Sequence, residues 1–123
     1  MVNKVILVGR LGKDPEARFL PDGTPVAQFS LATVRTWRDE VNEKHSETDW
    51  HTIVARGRLA EVCVQYLAKG HLTYVEGRLQ TRAWEKDTVK HYRTEIVAEQ
   101  VRFLERKAEE STTHTTPEED LPL

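Results

Sequence analysis

The stretch from Asp49 to Leu59 constrains the fold more than any other, because it predicts a β-strand that passes directly into a helix. β-Branched Thr52, Ile53 and Val54 favour a pleated strand. Alternation divides the side chains between two faces, with Trp50, Thr52, Val54 and Arg56 on one and His51, Ile53, Ala55 and Gly57 on the other. The first face is suited to stacking bases and neutralising phosphates, and the second suits a barrel interior.

The remaining chain adds four strands and a helix around this stretch. Apolar residues spaced as on one helix face run from Leu59 to Leu67, with Gly70 as the expected C-terminal stop. A short extended piece is expected at residues 18–20, and polar loops are expected at residues 39–48 and 85–90. The other predicted strands span residues 4–11, 25–38, 72–84 and 92–104. The order β-β-β-α-β-β predicts an all-β, five-stranded OB-fold barrel with one helix between strands three and four.

The first strand predicts self-association. Its run Val5, Ile6, Leu7 and Val8 does not alternate between apolar and polar residues, so both of its faces favour burial. A small barrel covers only one face of a strand, and a second copy of the chain is the expected cover for the other. His51, on the small or apolar face of its own strand, is predicted to be buried or to contact a subunit.

Charge separates a body from a tail. The first 107 residues hold all 18 Lys and Arg and 15 of the 20 Asp and Glu, which leaves +3, whereas the last sixteen residues carry −5. Residues 1–107 are therefore expected to form one folded domain, and the low-complexity residues 108–123 a disordered linker and acidic tail. Its end is predicted to bind partner proteins through Glu118, Glu119, Asp120, Leu121, Pro122 and Leu123.

Several functional classes are disfavoured. No apolar run approaches the ~20 residues that cross a bilayer, and the start of the chain shows no signal-peptide pattern, so an intracellular, cytoplasmic protein without a membrane partner is expected. Cys63 is the single cysteine, and the five histidines show no metal-ligand spacing, so neither metal nor cofactor is expected. With no catalytic motif present, a nuclease using Asp49 or Glu76 with a metal remains a distant alternative.

Seven motifs, in order, resemble the bacterial single-stranded DNA-binding protein family. They are Asn3-Lys4-Val5-Ile6-Leu7-Val8-Gly9, Asp14-Pro15-Glu16, Asp49-Trp50-His51, Gly57-Arg58-Leu59-Ala60-Glu61, Tyr66-Leu67-Ala68-Lys69-Gly70, Val75-Glu76-Gly77 and Thr81-Arg82-Ala83-Trp84. The resemblance implies an OB-fold subunit, assembled as a homotetramer, that protects single-stranded DNA during replication, recombination and repair. It also implies a tail that recruits replication and repair proteins.

The resemblance places base-stacking residues at Trp37, Trp50 and Trp84. Arg56 stands where the family commonly has an aromatic residue, and the chain ends in Asp120-Leu121-Pro122-Leu123 where the family usually ends in Ile-Pro-Phe after its acidic residues. Cations beside the tryptophans are the phosphate candidates, namely Arg35, Arg38, Arg56, Arg78, Arg82, Lys86 and Lys90. The alternatives are an RNA-binding or replication-restart OB-fold protein and a protein-interaction module.

Overall fold

The structure, a computed structural model, describes residues 1–105, with the side chain of the last residue excepted. The predictions for the linker and for the tail residues 118–123 lie outside this range. Six strands and one helix follow one another as β1 (Val5–Leu11), β2 (Glu16–Phe19), β3 (Pro25–Arg38), β4 (Lys44–Arg56), α1 (Arg58–Tyr66), β5 (Leu72–Lys86) and β6 (Val89–Glu105). Short β2 matches the extended piece expected near residue 18.

The sheet closes into a five-stranded barrel, which confirms the predicted fold class. Its strands follow the order β1-β5-β6-β4-β3-β2, and a further β1–β3 pairing joins the ends and leaves β2 on the edge. Glycine permits the close approach at this closure, because a Cβ at Gly9 would lie 2.1 Å from the carbonyl oxygen of Ala32. A Cβ at Gly77 would meet the carbonyl oxygen of Val97 at the same distance, beside a β-bulge in the β5–β6 ladder.

Helix α1 packs its apolar stripe on the barrel. Ala60 and Cys63 are buried with Ile53 and Ala55 of β4, as the alternation of that strand predicts. The helix begins after Gly57, whose φ of 66° suits glycine, and ends at Tyr66. The expected stop at Gly70 is therefore wrong, because the helix is already capped at Leu67, where the chain is extended. In the described range no helix is long and apolar enough to cross a membrane.

Two long hairpins extend beyond the barrel, and each corrects a predicted loop. β3 and β4 stay in register from Val26 with Arg56 to Arg38 with Lys44, so only residues 39–43 form the loop expected at 39–48. β5 and β6 pair as far as Lys86 with Val89, so only Asp87 and Thr88 remain of the loop expected at 85–90. Polar residues adopt strand structure here because each is paired with a residue of the neighbouring strand. We call the parts of these hairpins spanning residues 35–49 and 78–95 the first arm and the second arm.

Candidate nucleic-acid interface

In the first arm, Trp37 is flanked by two side chains. His45 lies directly opposite on β4, with its ring centroid 5.4 Å from that of the indole and the ring planes 21° apart. The guanidinium of Arg35, two residues earlier on the same strand, lies 5.2 Å from the centre of the Trp37 ring. The arm thus presents an Arg–Trp–His row, of which the cation–π contact is one element.

The second arm repeats this arrangement. His91 of β6 lies opposite Trp84 of β5, with ring centroids 5.5 Å apart and planes 18° apart. The guanidinium of Arg82 lies 5.7 Å from the Trp84 ring. In both arms the order is arginine, then tryptophan two residues later, then histidine across the ladder. Two hairpins of different sequence therefore present the same three side-chain types in the same register.

A buried carboxylate holds the arginines of the second arm. Arg82 and Arg93 lie directly opposite each other in the ladder, where repulsion between their like charges is destabilising. Glu95, only 5% exposed, offsets this repulsion, with one oxygen 3.4 Å from Arg82 Nε and the other 3.9 Å from Arg93 Nε. The Arg82 guanidinium is thereby fixed between Glu95 and the Trp84 ring.

Trp50 lies on the other side of the first hairpin. The uninterrupted register of β3 with β4 places Trp37 on the face that continues buried Leu31, and Trp50 on the opposite face. The indole is 60% exposed and packs over Gly12, where an added Cβ would lie 2.6 Å from Trp50 Cζ3. Arg56 is exposed on the same face of β4 as Trp50, as the alternation predicts. The three tryptophans therefore do not lie on one common face of the sheet.

The candidate cations fall into two groups. Arg35 pairs with Glu47 and Asp49, and Arg78 pairs with Glu99 at 3.4 Å. Arg82 belongs with them because of its contact with Glu95. Within residues 1–105 no carboxylate pairs with the other candidates, which are Arg38, Arg56, Lys86 and Lys90. Arg38 donates instead to the carbonyl oxygen of Asn42, at 2.9 Å.

The two arms differ in charge. The first arm carries three Lys or Arg against five Asp or Glu, and the second carries five against three. Since Arg35 is also neutralised by its two acidic neighbours, the first arm offers little positive potential to a phosphate. Lys86 and Lys90 flank the tip of the second arm, and neither forms an ion pair within residues 1–105, although Glu85 lies opposite Lys90 in the ladder. The second arm is therefore better suited to polyanion contact.

The proposed subunit-contact residues divide between two faces of the sheet. Val5 and Leu7 pack against this chain's own core, whereas Ile6 is 56% exposed and Val8 is half-buried on the outer face. His51 lies on the inward face of β4, with Nε2 2.9 Å from the hydroxyl oxygen of Thr33. Of these five residues, Ile6 and Val8 are thus the two whose side chains lie on the outer face of the sheet.

Asp39, Glu43 and His45 meet at the tip of the first arm, with one potential ligand atom from each within 4.8 Å of the others. Their own contacts account for the cluster. One Asp39 oxygen accepts from the backbone N–H groups of Val41 and Glu43, and the other lies 2.8 Å from His45 Nε2. The contact with His45, followed by the Glu43 amide, holds the pKa of Asp39 below its ordinary value. The group acts as a loop cap, and we assign no metal to it.

Comparison with known proteins decides the family. A family model described as "Single-strand binding protein family" matches residues 2–104. The chain belongs to this family. The resemblance seen in the seven motifs is therefore confirmed. Proteins of the single-strand binding family are non-enzymatic, so this member is not an enzyme.

Two solved structures show the same barrel. One is Plasmodium falciparum SSB in complex with ssDNA, which is 40% identical, with a TM-score of 0.79 over 85% of this chain and 96% of that one. The other is a deletion mutant of the single-stranded DNA-binding protein from Thermus aquaticus, which is 36% identical, with a TM-score of 0.77. That match covers 85% of this chain and 51% of the Thermus chain.

Sequence reasoning missed three residues of the arms, namely His45, His91 and Glu95. Two of them had a signal in the sequence. Arg-X-Trp occurs at residues 35–37 and again at 82–84, and each tryptophan is followed by a histidine seven or eight residues later. That repeat would predict two equivalent hairpins with the histidine opposite the tryptophan. Glu95 gives no such signal, because its burial depends on the pairing of β5 with β6.

Proposed function

We propose that this protein binds single-stranded DNA without sequence preference, by stacking bases on tryptophan and neutralising phosphates with Lys and Arg. The carrying observation is the repeated Arg–Trp–His row on two arms that extend beyond the barrel. Each row lies outside the core and exposes rings that can stack on bases, while nearby Lys and Arg that no carboxylate pairs with in residues 1–105 can neutralise phosphates.

The exposure of the tryptophans supports this mechanism. Trp37 and Trp84 are each 42% exposed and Trp50 is 60% exposed, although large aromatic side chains are normally buried by the fold. Every base has a flat face, so stacking needs no particular sequence, and the unpaired cations follow a backbone that is the same at each nucleotide. The complex of Plasmodium falciparum SSB with ssDNA, 40% identical to this chain, supports the same function here.

The cellular role follows from the binding mode. Coating single strands protects them wherever they are exposed, so we propose a role in DNA replication, recombination and repair in the nucleoid of the cytoplasm. We further propose a homotetramer in which Ile6 and Val8, on the outer face of β1, meet a second copy. The acidic end of the chain, Glu118 to Leu123, would recruit replication and repair proteins.

Titrating tryptophan fluorescence tests the main proposal. Oligo-dT, oligo-U and a DNA duplex of equal length are each added at one moderate salt concentration. We expect oligo-dT to bind far more tightly than the duplex, with an affinity that falls as salt rises. Replacing Trp50 or Trp84 by Ala should cost ~1–3 kcal/mol for each lost stack.

Three outcomes would contradict this proposal. Equal or tighter binding to duplex would mean that the arms do not select unstacked bases. Tighter binding to oligo-U than to oligo-dT would favour an RNA-binding role for the same surface. Tryptophan variants that bind oligo-dT as the unaltered protein does would place the stacking surface elsewhere.

A further inference from the structure

We propose that His45 and His91 contact single-stranded DNA themselves, each as the second ring of a two-ring platform with its tryptophan. This inference rests on the proposed function and assigns a role to two side chains that neither the motifs nor the family match singles out. Its basis is the repeated geometry of the two arms. The ring planes lie within 21° and 18° of parallel, at centroid distances of 5.4 and 5.5 Å.

Near-parallel, offset rings form a stack that has an outer face. Since each histidine lies against its tryptophan, a base that approaches the stack meets an imidazole as well as an indole. The arginine of each row lies near the indole too, within 5.2 Å in the first arm and 5.7 Å in the second. One arm therefore offers two flat rings to a base, whereas the arginine beside each indole is already paired with acidic neighbours.

The surroundings of the rings argue against a purely structural role. The arms lie outside the barrel, and the residues around both pairs are exposed: 35–38, 43–47, 83–86 and 88–90. The side chain of His45 keeps 43% of its surface exposed. A cross-strand aromatic pair stabilises a hairpin even without a core, and here each pair also leaves ring surface accessible to a ligand. His91 is itself half-buried, but two ring pairs in equivalent positions, each with an exposed tryptophan, point to a shared flat ligand.

The two histidines differ in what else they contact. His45 lies 2.8 Å from Asp39, and the Arg35 beside it is paired with Glu47 and Asp49. Within the described range the side chain of His91 makes no hydrogen bond or ion pair, and it lies in the arm of net positive charge. We therefore expect His91 to contribute more to DNA binding than His45.

Substitution by Ala and by Phe separates a binding role from a structural one. His91→Ala removes the ring, whereas His91→Phe keeps a flat ring of similar size without its nitrogens. The same pair of changes is made at His45. Ser46→Ala and Thr94→Ala are the matched controls, because they lie on the same strands but on the opposite faces. Affinity for oligo-dT is measured at pH 8 and fixed salt, and thermal unfolding is recorded for every variant.

We expect His91→Ala to weaken oligo-dT binding about fivefold, the lower end of the cost of one lost base stack. His91→Phe should restore most of that loss, His45→Ala should cost less, and both controls should bind as the unaltered protein does. Thermal unfolding should change little in any variant, since the rings are outside the core.

The inference is overturned if His91→Ala binds oligo-dT normally while Trp84→Ala does not, because the platform would then be the indole alone. It is also overturned if His91→Phe binds as weakly as His91→Ala, since ring stacking would not explain the loss. Failure of the unaltered protein to bind oligo-dT at all would instead contradict the proposed function.

Discussion

The indole of Trp50 lies over the backbone of Gly12, in the connection between β1 and β2, and leaves no room there for a side chain. The Gly12 amide donates to the carbonyl oxygen of Ser30 at 3.1 Å, which fixes the loop beneath the ring. The orientation of the mostly exposed Trp50 ring thus depends on the absence of a side chain at Gly12.

Gly12→Ala should displace the Trp50 ring and weaken oligo-dT binding, because the new methyl group would lie 2.6 Å from Trp50 Cζ3. The fold should persist, since an exposed ring can move. A double-mutant cycle measures the effect: Gly12→Ala is compared alone and in a Trp50→Ala background. Equal losses in both backgrounds would mean that Gly12 acts independently of the ring.

Salt dependence should report the unpaired cations of the second arm. Lys86→Ala and Lys90→Ala should each lower the slope of log affinity against log salt by about 0.7, the value for one phosphate contact on a single strand. Arg58 of α1, paired with Glu61 and remote from both arms, is the control. A slope that falls as much in Arg58→Ala as in the two lysine variants would argue that the cations act only through net charge.

Oligomerisation should depend on the outer face of β1. Ile6→Lys is expected to dissociate the assembly without unfolding the barrel, because Ile6 is exposed and paired with Glu76 of β5. Leu7→Lys should unfold the chain, since that side chain packs on the core. Light scattering and thermal unfolding distinguish the two results, and an unchanged mass for Ile6→Lys would place the subunit contact on another surface.

The acidic end should act as a binding segment for partner proteins. The negative tail is expected to compete with DNA for the basic surface of the body. Deleting residues 118–123 should therefore modestly raise oligo-dT affinity at low salt and leave the assembly intact. Leu123→Phe should bind the host's repair helicases and nucleases more tightly, because a ring buries more area. Calorimetric titration of these partners with the full-length, tail-deleted and Leu123→Phe proteins measures the effect. Equal affinities for all three would mean that the acidic end does not bind partners.

Cys63 should be unreactive in the native protein. Burial raises the pKa of its thiol to about 11, from an ordinary value of 9.0, and the thiolate is the reactive form. A thiol reagent at pH 8 should modify the protein only after denaturation. Because the unfolded thiol ionises at lower pH than the folded one, this side chain's contribution to stability should be lost between about pH 9 and 11.

The sequence predicts the barrel and fails at the arms. Ile53 and Ala55 lie on the core face that the alternation of β4 predicts, although Val54 between them is buried as well. His45 to Thr48 are strand residues only because Thr36, Trp37 and their neighbours pair with them. Asp87 and Thr88 form a two-residue turn with φ of 55° and 63°, although the sequence there lacks the Asn-Gly or Asp-Gly pair that usually predicts such a turn.

The barrel is closed by two short strand pairings, between β4 and β6 and between β1 and β3, each of only two residue pairs. β4 meets β6 through Ile53 with Ile96 and Val54 with Val97, and β1 meets β3 through Arg10 with Ala32 and Leu11 with Leu31. The long hairpins, in contrast, join strands that are neighbours in sequence, and such local pairing forms fastest. We therefore expect both arms to exist as hairpins before the two closing pairings of the barrel form, so that the candidate interface precedes the barrel that carries it.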